Sequence, residues 1–447
     1  MTEKIVHVVH CIDTEGPLYE SLPETFKRIK ELFDIDLSPS RENLEKIQKR
    51  LLDLGGLEEE VAHVFNPKLI NYNDTWDKID DMLKDIMSEG FRSKFPDSFG
   101  GEWIYNWHCV DFIGYSENPR RRDMGYHQIF DHYKFLIENN ESNKNDGLHF
   151  HYHPMAFSKK AHYCATHYFA TGNRLYEILA RDIIDRHWFP GVNRPGFHVI
   201  RPDSHWFLEQ FVPFDYSNQG MEEDELEQKD LAHGRYGDWR RAPKNWQPYH
   251  PSHDDYQVSG DCRRWITRCL NVGARYRSIG QKEVDQAFSE AESGASVILA
   301  FTNHDFRDMK PDIEIMREML SEAQQRFPET KFKYCEGREA FRQALNLEKT
   351  SPCKLTLSFE GNVLKIESDK RTFGPQPFFA IKTRSGEYFH DNLDFQEPFH
   401  SWTYTFDQAT FELNALENIG VATCDNTGNV TIVDFNIPKD FSSSHYL

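Results

Sequence analysis

Two patterns of apolar and polar positions divide the chain, and they change over near Thr350. Before that point, short apolar runs alternate with amphipathic stretches of helical period. Residues 5–13 read as a buried strand. Ser38-Pro39 opens a helix with Leu44, Ile47, Leu51 and Leu54 on one face, which Gly55-Gly56 would stop. Helical patterns follow at about 126–138, 173–187, 283–293, 312–327 and 337–346, with a further helix from Pro202. Between them lie apolar segments that read as strands near 148–153, 197–200, 212–216, 295–302 and 331–335. Strands taking turns with helices predict an α/β fold on a mostly parallel sheet.

Beyond Thr350 the period drops to two. Leu355, Leu357 and Phe359 alternate with polar residues, Gly361-Asn362 turns the chain, and residues 363–366 return. Segments 378–389, 401–406 and 430–435 continue this pattern, with residues 426–429 as a turn. The prediction is an α/β domain over 1–348, carrying an acidic insertion at 218–234, and a small all-β, sandwich-like domain over 349–447. Trp402, Tyr404 and Phe406 alternate on one of the later strands. They read as core residues, with a sugar-binding platform as the alternative.

Composition narrows the function. A length of 447 residues exceeds one ordinary core, and 38% hydrophobic with 14% aromatic residues excludes global disorder. A net charge of −20 repels phosphate backbones and argues against nucleic acid as a partner. Arg120-Arg121-Arg122, the tightest basic run, reads as a solvated loop. No stretch approaches a membrane span, and residues 1–9 lack the form of a secretory leader. Eight cysteines without a C-x-x-C pair read as reduced thiols, so the expected location is the cytoplasm.

Four polar clusters fall where strands are expected to end, which is where α/β sheets and barrels place their chemistry. In His10-Cys11-Ile12-Asp13-Thr14-Glu15-Gly16-Pro17, two carboxylates share one side at strand spacing. Such a pair can divide the work of metal binding and proton transfer. In Gly147-Leu148-His149-Phe150-His151-Tyr152-His153-Pro154, period two puts three imidazoles on one face. Burying them without a metal or carboxylates leaves ring nitrogens unsatisfied. The third and fourth clusters are Asn193-Arg194-Pro195-Gly196-Phe197 and Phe301-Thr302-Asn303-His304-Asp305.

In that order the clusters resemble the motifs of the polysaccharide deacetylases, the NodB-homology group of carbohydrate esterase family 4. His149 and His153-Pro154 match the family's His-x-x-x-His-Pro motif, and Asp13-x-Glu15-Gly16 is similar to its acidic motif. The resemblance spans roughly residues 4–345 and implies a distorted (β/α) barrel. It further implies a divalent metal, Zn²⁺ by preference, on Glu15, His149 and His153. Asp13 would then be the general base, His304 the general acid, and Arg194 the residue that orients Asp13. The family carries adjacent aspartates, whereas Thr14 separates the carboxylates here, so either one can be the ligand. His151 can replace His149, and Asn193 or Arg194 can occupy the arginine position. Asp238-Trp239 would supply an aromatic wall. The implied activity is removal of an N-acetyl group from a sugar or glycan precursor. The alternatives are a non-sugar C–N hydrolase on the same scaffold and a catalytically drifted carbohydrate-binding protein.

Overall fold

A computed structural model describes residues 4–111, 127–159, 167–169, 172–222, 237–275 and 277–439. The Arg120–Arg122 run and the acidic segment from 223 onward lie outside the described residues.

Eight parallel strands form a distorted β-barrel surrounded by helices. They are β1 (Ile5–Thr14), β2 (Tyr105–Val110), β3 (Gly147–His151), β4 (Val192–Asn193), β5 (Phe214–Asn218), β6 (Trp265–Asn271), β7 (Val297–His304) and β8 (Lys331–Tyr334). The strand order is β2-β3-β4-β5-β6-β7-β1-β8, and an additional β1–β2 pairing closes it. β1 makes closure possible by serving two neighbours on one edge. Its first half, Ile5–Val8, pairs with β8, and its second half, His10–Thr14, pairs with β2. On its other edge it runs beside β7 from Val6 to Asp13. β1 and β7 are buried on both faces along nearly their whole length; β7 opens with an unbroken apolar run, whereas β1 buries His7 and His10 among its Val and Ile residues on hydrogen bonds to Val297 and Asn303.

By compactness the chain divides into two units. The first comprises Met1–Leu148, Ser158–Tyr163 and Cys269–Glu336. Between β1 and β2 it carries short helices at Leu22–Phe33, Arg41–Gln48, Glu58–Val64 and Trp76–Ile86. Ser21, Ser40 and Thr75 each cap a helix by accepting a backbone N–H. The first three helices enclose a small core of their own around Phe26, Ile29, Ile47, Val61 and Phe65. The helix expected from Ser38 stops at Gln48, because Arg50 turns into the left-handed region (φ 60°) and Leu51 faces solvent.

The second unit comprises His149–Phe157, Cys164–Arg268 and Gly337–Leu447. Its last part is sandwich-like, with two four-stranded antiparallel sheets. One joins β9 (Leu355–Glu360), β10 (Val363–Ser368), β13 (Asp394–Glu397) and β14 (Ser401–Thr405). The other joins β11 (Phe378–Thr383), β12 (Tyr388–Asp391), β15 (Leu416–Cys424) and β16 (Val430–Asn436). Leu364, Ile366, Phe379, Ile381, Ile419 and Val421 form a shared core with Trp402, Tyr404 and Phe406. The last three therefore face inward and form no surface platform. Helix Arg174–Arg186 docks closely on this β region. A Cβ on Gly420 of β15 would lie 2.5 Å from the Ile183 side chain, so glycine is what lets the helix approach.

Candidate functional site

β1 ends in the acidic tip, and the backbone there is tightly held. Asp13 and Glu15 are both buried, at 4% and 5% exposure. Gly16 adopts φ +69°, a conformation that favours glycine, and turns the chain against Ile129 and Trp76. Asp305, just past β7, accepts the backbone N–H groups of Glu15 (2.8 Å) and Gly16 (2.9 Å) on its two carboxylate oxygens. The Tyr133 hydroxyl donates to it as well, at 2.8 Å. Asp305 thus fixes the turn that aims Glu15. It sits in a cluster recognised from sequence, but nothing in the linear pattern distinguishes it from a solvated aspartate.

Parallel register brings His304 of β7 opposite Asp13 of β1. His304 Nε2 lies 3.7 Å from Asp13 Oδ2. Arg307 approaches the other face of this histidine, with its guanidinium 3.3 Å from Nδ1. As Arg is only a donor, Nδ1 is held as an acceptor and the ring proton resides on Nε2, toward Asp13.

In the second unit, His149 and His151 lie on β3 and His153 just beyond it; all three are buried. His151 Nδ1 donates to the Arg194 carbonyl at 2.8 Å, which leaves the Nε2 lone pair available. His151 Nε2 stands 3.0 Å from His153 Nε2. Gly196 lies against the His153 ring so closely that a Cβ there would come within 2.3 Å of it. The strand expected at 197–200 is instead a single 3-10 turn, Gly196–His198, with Phe197 at φ 53°. That turn puts Phe197 edge-on to the His153 ring, centroids 5.0 Å apart.

Glu15, His151 and His153 each offer a ligand atom, and the three atoms lie within 4.8 Å of one another. All three residues are buried. This His/His/acidic cluster fits a divalent ion. Two imidazole nitrogens on one tetrahedral zinc, each bonded at about 2.0–2.1 Å, stand roughly 3.3 Å apart, close to the separation of the two Nε2 atoms. The grouped histidines are His151 and His153. His149, expected as a ligand from the motif spacing, lies on the same strand but outside the group.

Arg194 is fully buried. Its guanidinium donates to the Tyr216 carbonyl (2.8 Å) and approaches His198 Nδ1 (3.1 Å), while its own carbonyl orients His151. Asn193 donates instead to Asp215, whose carboxylate also holds Arg264 at 2.6 Å. Trp239 is buried and donates to the His198 carbonyl, so it braces the turn after Arg194. No helix among the described residues is long and apolar enough to cross a membrane.

No protein-family model and no curated protein matches the chain. Among solved structures, a Cellulomonas fimi endo-beta-1,4-mannanase double mutant is similar over 78% of this chain and 88% of its own, at 9% identity and a TM-score of 0.26. A likeness that low carries no argument about function.

Proposed function

We propose that the protein is a cytoplasmic zinc-dependent hydrolase that removes the acetyl group from an N-acetylated sugar or glycan precursor. The observation that carries this reading is the buried Glu15/His151/His153 cluster at the strand ends. Burying two imidazoles and a carboxylate is costly unless a cation compensates them. The four ordered motifs and their resemblance to the polysaccharide deacetylases support the choice of amide chemistry.

When bound, a divalent ion would supply Lewis-acid polarisation of the acetamide carbonyl and raise the acidity of a water molecule. In this reading, Glu15, His151 and His153 hold the ion. Asp13 takes the proton of the attacking water, its carboxylate kept close by burial and by the rigid end of β1. His304, across the strand pair, hands a proton from Nε2 to the departing amine. To serve as that acid the ring must first gain a second proton at Nδ1, which displaces the Arg307 contact, and it is then left as neutral imidazole. Arg194 orients His151 through its backbone carbonyl, while its guanidinium is held by the Tyr216 carbonyl and His198.

The test is elemental analysis of the purified protein paired with a screen for acetate release from N-acetylated sugars. About one divalent ion per chain is expected, the usual stoichiometry of a three-ligand site, with release that Asp13→Asn abolishes. Release of an amine from non-sugar amides alone would transfer the reading to a C–N hydrolase without a sugar. Protein that takes up no divalent ion would refute it.

A further inference from the structure

The first unit contains a cavity of about 940 Å³ between the helical insertion after β1 and the segment that follows β7. Leu18, Tyr19 and Tyr72 line it together with Arg41, Lys68 and Arg307. Carboxylates line it as well: Glu20, Glu45, Asp74, Asp308 and Asp312. Glu20 forms a two-pronged contact with Arg28, Asp74 is paired with Lys78, and Glu45 with Lys49. Asp312 accepts from Asn303 at 3.1 Å, and Asp308 caps the backbone N–H of Lys310.

The cations differ. Arg307 makes long contacts to the Gly273 carbonyl (3.4 Å) and to His304, and Arg275 behind it donates to the carbonyls of Val64 and Leu69. Among the described residues, no carboxylate lies within ion-pair distance of either guanidinium. Burial and the neighbouring charge of Arg275 hold Arg307 below the usual guanidinium range, with the Asp312 carboxylate opposing in part. Arg41 and Lys68 stand exposed at the rim, likewise without a carboxylate partner among the described residues. Arg307 is half-buried in the lining, with Arg275 nearby, two more cations exposed on the lining and Asp312 as a neighbouring counter-charge, and its guanidinium keeps donor capacity for an oxyanion.

We infer that this cavity binds the oxyanion of an acidic sugar substrate, a phosphate or a carboxylate, with Arg307 engaging it directly. Arg307 also touches His304, so the anion would be anchored one residue away from the proposed proton donor. The two tyrosines and Leu18 supply apolar and stacking surface for the sugar body. Assigning this ligand as the substrate rests on the hydrolase reading; the anion site itself does not.

Calorimetric titration of the full chain separates the two. The probes are N-acetylglucosamine 6-phosphate, glucuronate, inorganic phosphate and neutral N-acetylglucosamine. The phosphorylated sugar is expected to bind roughly 10–100-fold more tightly than the neutral one, the yield of one or two charge-assisted hydrogen bonds. Arg307→Gln should remove that difference and Arg307→Lys restore part of it. Lys68→Glu, on the exposed rim and unable to disturb the core, should weaken the phosphorylated probe and leave the neutral one unchanged. His153→Ala should leave anion binding intact. Tighter binding of glucuronate than of the phosphate ester supports the site and identifies the anion as a carboxylate. Equal affinity for charged and neutral probes, or unchanged selectivity in a folded Arg307→Gln, overturns the proposal. Selective binding without acetate release upholds the anion site and refutes the hydrolase reading.

Discussion

A methyl group at Gly196 would lie 2.3 Å from the His153 ring, closer than any real Cβ contact. Either the ring or the turn must move, and both set where His153 Nε2 points. Gly196→Ala is therefore expected to reduce divalent-metal affinity by about 10–100-fold, the usual cost of disturbing a ligand's support, while far-UV circular dichroism stays unchanged. Metal titration with a competing chelator measures it, and wild-type affinity would show that the ring position does not matter. The three histidines give a sharper contrast. His151→Ala and His153→Ala should each lose the ion, whereas His149→Ala should keep it. Loss in all three variants alike would mean that strand integrity, and not ligation, is being read. The histidine row was legible in the sequence because alternation is a property of a strand. Which two of the three converge with Glu15 was not, because β3 ends at His151 and the chain then leaves strand geometry before His153.

Whole elements act through the backbone groups at their ends. Asp305 satisfies two backbone N–H donors of the β1 turn and one tyrosine hydroxyl, all buried. Asp305→Ala strands these donors, at about 1–3 kcal/mol for each group left unsatisfied. A loss of at least about 2 kcal/mol is expected in urea denaturation, together with weaker metal binding as Glu15 loses its fixed aim. An unchanged midpoint would show that water replaces the carboxylate without cost. Strands β1 and β7 and the helices at 174–186, 281–292 and 310–326 were readable from apolar runs and helical period. β2, whose sequence Tyr-Asn-Trp-His-Cys-Val mixes polar and aromatic residues, was not. Its burial is imposed by β1 rather than by its own composition. The helices at 22–33, 58–64 and 76–86 were missed as well. They are short, and their apolar stripes face only a small local core or the segment beside it. The two-residue β4 carries too little pattern to register at all.

At the scale of the whole molecule, acid sensitivity follows from histidines buried in the neutral state. His10 Nδ1 accepts from the Trp103 indole at 3.0 Å, its Nε2 contacts Asn303 Oδ1 at 2.9 Å, and its ring stacks on Phe301. A second proton would land on Nδ1 and face the indole N–H, another donor. Burial lowers this histidine to about 3, the Asn303 contact opposing only in part. In the second unit, burial brings His390 down to about 4, although it donates to the Phe379 carbonyl and stacks on Phe378. Both shifts have the same sign. The unfolded chain takes up protons below about pH 6.5 while the folded chain does not. Stability is therefore fully present above that pH and falls as pH drops toward 4, by about 1.4 kcal/mol per pH unit for each histidine. Replacing His10 with Gln keeps a neutral polar group of similar reach and removes the titration. The variant should lose about half of the slope contributed by this pair between pH 6 and 4, measured as the pH dependence of the urea midpoint. A variant whose slope stays parallel to wild type would mean that His10 is protonated in the folded barrel, and the indole and amide contacts assigned to it would have to be redrawn.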